Sequence, residues 1–286
     1  MRDIPTSPRI EEIKHKLRMK RLRWSIFSVV ILGGLIWGLS YFSSDKHVVI
    51  DKIEIAGAHV INQDNVESNI KENISGKYLH LFSKSNIFIY PRSKIYDSLL
   101  LNFPRIEKLS VYRDNLRTLH IDISERSGSY LYCGPSIPET KEEIGENCYF
   151  VNDDGYIFDK APYFSGNIYF KYYLTLENNS EPQGKQMLSV DEFHKIVKFI
   201  KEIDSLGLKT IYLHMDSDNT NYLYLNHEAE GVSPKIIFKN ENSFDTILEN
   251  LTAAMKKREF ADEIKSKYNT LQYIDLRFKN KVLYKF

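Results

Sequence analysis

The stretch WSIFSVVILGGLIWGLSYF, residues Trp24 to Phe42, decides how the rest of this chain is read. It runs for 19 residues without a charge, and only Ser25, Ser28 and Ser40 interrupt its apolar character. At the helical rise of 1.5 Å per residue it covers roughly 28 Å, the thickness of a bilayer's hydrocarbon core. Trp24 and Tyr41 near its ends suit the interfacial aromatic belts. A cleaved signal peptide would have a shorter apolar region and a small-x-small site after it. Ser40-Tyr41-Phe42-Ser43 does not supply one. The stretch is therefore predicted to be a retained transmembrane helix over residues 24–42.

The flanks give the orientation. Residues 1–23 hold eight Lys or Arg against three acids, a net of +5, so the remainder carries about −4 of the overall +1. Lys46 is the lone cation shortly after the span. This asymmetry predicts a cytoplasmic basic tail over 1–23 and places residues 46–286 outside the cytoplasm. With 39 basic and 38 acidic residues in 286, the chain is not a bulk polyanion binder, so nucleic acid is not an expected partner. Hydrophobic residues at 42% and charged residues at 27% fit a folding chain rather than a disordered one.

Beyond the span, residues 46–127 read as a small α+β domain with a βααββ pattern. Val48 to Ile55 is strand-like, and Gly57 ends it. Asp64 is placed to cap a helix in which Val66, Ile70 and Ile74 recur every four residues. Pro91 opens a second helix lined by Ile95, Leu99 and Phe103. Leu109 and Val111 alternate, then Leu119, Ile121 and Ile123, with Asp114-Asn115 as the turn between them. Its charged set Arg105, Glu107, Lys108, Arg113, Arg117, Glu125 and Arg126 has no core reason to be charged, which makes it a candidate recruitment surface. Residues 128–286 form a strand-rich domain with two helices. One is capped by Ser189, and the other carries Phe244, Ile247, Leu248, Leu251 and Met255.

Chemistry-bearing motifs are missing from the sequence. It has no phosphate-binding glycine loop, no Gly-x-Ser-x-Gly elbow and no His-Glu-x-x-His pair, and its eight histidines show no ligand spacing. Asp153-Asp154-Gly155 reads as a hairpin turn rather than a catalytic carboxylate pair. The expectation is a non-enzyme with no metal, cofactor or small-molecule substrate. Cys133 and Cys148 flank a polar segment, and they can form a disulfide if the neighbouring strands pair in the right register. Asn-x-Ser/Thr triplets at Asn73, Asn178 and Asn250 matter only in a glycosylating pathway.

The order of these parts resembles the bacterial cell-division family FtsQ, also called DivIB. Val49-Ile50-Asp51-Lys52-Ile53-Glu54-Ile55-Ala56-Gly57 looks like the first strand of the family's POTRA domain. Phe103-Pro104-Arg105-Ile106, then Thr118-Leu119-His120-Ile121 and Glu125-Arg126, resemble the close of that domain. Tyr149 to Phe158 looks like the opening of the family's β domain, and Tyr273-Ile274-Asp275-Leu276-Arg277-Phe278 resembles its terminal V-D-L/M-R-Y. Leu109 departs from the family, where a small residue is usual.

The resemblance implies a single-pass protein of the bacterial cytoplasmic membrane at the division septum. Such a protein holds FtsB-like and FtsL-like partners and links them indirectly to the septal peptidoglycan synthase. Partner contacts would fall on Arg277, pairing with a partner acid, and on Phe278, Asn280 and Phe286. Val282 and Tyr284 belong to the same terminal strand, whose alternation suggests one face of aromatic anchors on a free sheet edge. The alternative reading is another POTRA-bearing envelope scaffold or a protein-transport component.

Overall fold

The computed structural model describes residues 8–138, 147–164, 166–176, 181–227, 233–239, 243–278 and 281–286. It is a mixed α and β chain with one long apolar N-terminal helix and a strand-rich sheet. It divides into two compact units, Met1–Glu125 and Arg126–Phe286.

Helix α1 (Pro8–Ser43) contains the apolar stretch and extends well before it, because the Lys, Arg, Glu and Leu residues upstream are all good helix formers. It is the one helix among the described residues long and apolar enough to cross a membrane, and its apolar window is entirely unburied. After it come β1 (Lys52–Ala56), α2 (Gln63–Ile74), the two-residue strands β2 (Lys77–Tyr78) and β3 (Phe82–Ser83), α3 (Arg92–Asn102), β4 (Ile106–Arg113) and β5 (Thr118–Glu125). The sheet order is β1-β5-β4, with β1 parallel and β4 antiparallel to β5. Val66, Ile70 and Ile74 of α2 and Ile95 and Leu99 of α3 bury against Leu119, Ile121 and Ile123 of β5. Leu109 joins the same core, which is why a large residue is accommodated there.

Two helix starts differ from expectation. Asn62, not Asp64, caps α2: its Oδ1 accepts from Asp64 N at 2.8 Å and Asn65 N at 3.3 Å. Asn62 has the extended backbone that a cap requires, whereas Asp64 is already inside the first turn. Pro91 stands just before α3 rather than as its first residue. Gly57 has a left-handed φ of 79°, and a Cβ there would lie 2.0 Å from Ile123 O. This bend carries the chain toward Glu125, whose Oε1 accepts from the backbone N–H groups of His59 (2.7 Å), Val60 (2.9 Å) and Ile61 (3.0 Å).

Several of the charged residues expected to form a recruitment surface have partners within the chain. Besides Glu125, Arg117 pairs with Asp51 at 2.6 Å, Arg113 lies 5.5 Å from the Phe88 ring centroid, and Arg126 stacks 4.4 Å over Tyr156. The cause is long-range: Arg117 and Asp51 are 66 residues apart and meet only through the β1–β5 pairing.

The second unit is built on a ten-stranded sheet. Its elements are β6 (Tyr130–Tyr132), β7 (Tyr149–Val151), β8 (Tyr156–Lys160), β9 (Phe170–Leu174), β10 (Lys185–Gln186), α4 (Val190–Ser205), β11 (Thr210–Met215), β12 (Thr220–Leu225), β13 (Lys235–Lys239), α5 (Phe244–Met255), α6 (Arg258–Ser266), a 3-10 turn (Tyr268–Thr270), β14 (Tyr273–Asp275) and β15 (Leu283–Lys285). The strand order is β10-β8-β7-β6-β9-β11-β12-β13-β14-β15. β9 runs parallel to β11, and β13 parallel to β14. Parallel neighbours need long crossovers. α4 lies in the first crossover and α5 with α6 in the second, so their apolar faces share the core with Phe238, Leu223 and Ile274.

The expectation of two helices is thus corrected to three among the described residues. Lys257 takes an extended backbone that breaks α5 from α6, and α6 buries only Phe260 and Ile264, too few apolar residues to read as periodic. Ser189 caps α4 through Glu192 N, as its sequence pattern suggests. Asp153-Asp154-Gly155 forms the β7–β8 turn, with Asn152 Oδ1 accepting from Asp154 N and Tyr156 N and Gly155 at φ 81°.

Cys133 and Cys148 form a disulfide that ties the ends of the paired strands β6 and β7 across 15 residues. Closing a loop of that length restricts the unfolded chain. Replacing both cysteines with serine is expected to lower the second unit's stability by about 3 kcal/mol, read by chemical denaturation. An unchanged midpoint would show that the β6–β7 ladder alone holds this region.

Candidate partner-binding edge

β14 and β15 decide what the C-terminal end of the sheet offers. They pair antiparallel with Tyr273 opposite Lys285, Ile274 opposite Tyr284, and Asp275 opposite Leu283. Residues directly opposite share a face. Ile274 is fully buried on the helix side, so Tyr284 lies on that side too. Val282 and Phe286, two residues either way, pack there against the main core. Leu283 and Lys285 point to the opposite face and are exposed.

β15 ends the strand order, and among the described residues it has a strand neighbour on one side only. Its other rim presents main-chain groups that an incoming strand can complete. β10 at the far edge is two residues long and offers much less. From Lys265 onward the sequence holds six Lys or Arg and one acid, Asp275, so the edge suits an acidic segment.

The expected contact residues are not equally available. Tyr284 is 40% exposed but anchored: its ring meets Phe260 edge-on at 4.9 Å and its hydroxyl donates to Glu263 Oε2 at 2.9 Å. That bond raises the tyrosine's pKa. The Lys267 ammonium, and then the Tyr284 hydroxyl, hold the Glu263 carboxyl below its usual range. Phe286 stacks edge-on against Tyr284, with Lys267 Nζ 5.2 Å from its ring centroid. Tyr284 and Phe286 are therefore half-committed to the unit's own packing, and Val282 with them. Phe278 is exposed. Asn280 lies outside the described residues. Sequence reasoning missed α6, which forms one wall of a groove of about 450 Å³ beside β15 lined by Ala253, Ala254, Phe260, Glu263, Val282 and Tyr284.

Arg277 makes a close pair within its own loop. Its Nη2 donates to Asp275 Oδ2 at 2.6 Å and its Nε to Oδ1 at 2.9 Å, while its backbone N–H also reaches Oδ1 at 3.0 Å. Burial pushes the Asp275 carboxyl up, but the side-chain and backbone hydrogen bonds from Arg277 outweigh it and leave the pKa below the ordinary value. A lowered folded-state pKa contributes stability above the unfolded value of about 3.9 and loses it as pH falls through the folded value. Acid titration of the second unit is therefore expected to show stability falling below about pH 4. Asp275→Asn should flatten that fall and cost about 1 kcal/mol at neutral pH, since Arg277 is partly solvated. An identical acid profile in the variant would remove this pair from the account.

Among the described residues, no three His, Cys, Asp or Glu side chains gather closely enough to hold a metal. No protein-family model and no curated protein matches this chain.

Proposed function

We propose that this chain is a non-catalytic, membrane-anchored assembly protein of the FtsQ/DivIB kind, with a POTRA-like first unit and a β-type second unit. It sits in the bacterial cytoplasmic membrane with its N-terminus cytoplasmic and both units outside. At the septum it holds an FtsB-like partner, and through it an FtsL-like protein, coupling assembly to septal peptidoglycan synthesis. The observation that carries the reading is the open β15 rim at the end of a ten-stranded sheet, flanked by cations. An extended acidic segment of the partner would add as an eleventh strand. Arg277 would exchange part of its contact with Asp275 for a partner carboxylate.

Lys281 and Lys285 are exposed, so reversing their charge tests the edge with little cost to the fold. Reversing both (Lys281→Glu with Lys285→Glu) in the detergent-solubilised full chain is expected to weaken binding of the FtsB-like protein about tenfold, roughly 1.4 kcal/mol, at unchanged Tm. Full-strength binding would move the contact elsewhere. Depletion in cells should give filaments; an envelope-protein assembly defect instead would favour the transport alternative.

A further inference from the structure

The apolar run of α1 ends at Phe42, but the first unit does not wait for the run to finish. Ser40 Oγ donates to Leu81 O at 2.6 Å, Ser43 Oγ accepts from Ser83 N at 2.9 Å, and Asn86 Nδ2 donates to Ser43 O at 3.0 Å. Ser43, Ser83 and Asn86 are buried, so this is a packed joint rather than a loose tether. The β2–β3 hairpin is thereby fixed alongside the last turn of the apolar run. Ser40 stands only about 3 Å before Phe42 along the helix axis, so the backbone of Leu81 is level with apolar residues of α1, not above them.

What the hairpin presents at that level is apolar. Leu79, at its tip, is 85% exposed, and Leu81 is 38% exposed. Leu79 and His80 hold left-handed backbones, with φ 47° and 62°, a conformation that costs a leucine about 1 kcal/mol or more. Beside them a cleft of about 510 Å³ opens at the helix end, lined by Trp37, Tyr41, Asp45, Lys46 and Lys77, two cations against one acid. Exposed leucines, aromatic rings and lysines are residue types that a bilayer interface accommodates, with rings near headgroup level and ammonium groups on phosphates.

We propose that the β2–β3 hairpin is a second membrane contact. Leu79 and Leu81 dip into the leaflet at the C-terminal end of α1, and Lys46 and Lys77 meet the lipid phosphates around the cleft. The inference rests on the reading that α1 spans a bilayer. The bilayer is favoured over a protein occupant because the hydrogen bonds to α1 put Leu81 at the depth of α1's own apolar surface.

The test uses the oxidised full chain with single cysteines at three exposed sites: Leu79→Cys on the hairpin, Leu35→Cys on α1, and Val60→Cys beyond the far end of β1. Each carries a polarity-sensitive fluorophore. The protein is reconstituted into phosphatidylcholine–phosphatidylglycerol vesicles, some of whose lipids bear a nitroxide on the acyl chain. The labels at 35 and 79 are expected to lose roughly half of their emission to the nitroxide lipid, and the label at 60 almost none. Quenching at 35 but not at 79 would overturn the inference while leaving the α1 reading intact. A blue-shifted but unquenched label at 79 would mean that protein covers the hairpin, which also overturns it. No quenching at 35 would remove the spanning helix, and the inference with it.

Discussion

Gly57→Ala is expected to destabilise the first unit by about 4 kcal/mol, among the largest effects of any single substitution in the chain. Two penalties act at one atom. The residue must hold φ 79°, which an alanine adopts only under strain, and the added Cβ would stand 2.0 Å from Ile123 O. That oxygen belongs to the backbone of β5, so no rotamer change can relieve the clash. Either β1 or β5 must move, and the two are paired there through Ile55–Ile121 and Ala56–Asp122. Shifting them also pulls the His59–Ile61 backbone off the Glu125 carboxylate. Thermal unfolding should show an early transition, assigned to residues 48–125 by limited proteolysis, while the disulfide-tied second unit stays folded. A melting curve indistinguishable from the parent's would show that β1 relaxes at no cost.

Ile274→Ala should cost the second unit about 4 kcal/mol: three lost carbons at about 0.8 kcal/mol each, plus the cavity left behind. Ile274 is fully buried in the middle of the three-residue strand β14, opposite Ile236 on one side and Tyr284 on the other. So short a ladder has little else to hold it. β15 should fray first, raising amide exchange at Leu283–Lys285 beyond the global change and weakening any partner that adds to its rim. If exchange at β15 rises no more than in the rest of the unit, its docking does not depend on Ile274.

These two positions also show how far the sequence could be read. Gly57 stands out locally, because an alternating run stops at it. The pattern Leu119, Ile121, Ile123 likewise announces a strand with one buried face, and it is one. The C-terminal edge was harder. Alternation places Val282, Tyr284 and Phe286 on one face, but which face depends on the register with Ile274. No local sequence signal sets that register, so the aromatics read as outward anchors when they lie on the helix side. α6 was invisible because its packing rests on two apolar residues. Arg117 and Glu125 read as recruitment-surface charges and Arg277 as a partner contact, because the groups that engage them within the chain are brought to them by strand pairing or a tight loop, which no local pattern announces. β10 pairs with β8 through only two residue pairs, which leaves no periodicity to detect.

The Ser40–Ser43 joint makes the phase of α1, and not only its length, part of the design. The hydrogen bonds of Ser40 and Ser43 with Leu81, Ser83 and Asn86 select one side of the helix, so the first unit has a fixed compass heading relative to the residues of the apolar run. One residue inserted before Ser40 turns that heading by about 100° while lifting the unit by only about 1.5 Å. Four inserted residues bring it back to within about 40° of the start. The helix thus behaves as a keyed shaft: whatever orients its sides also aims the unit mounted on its end.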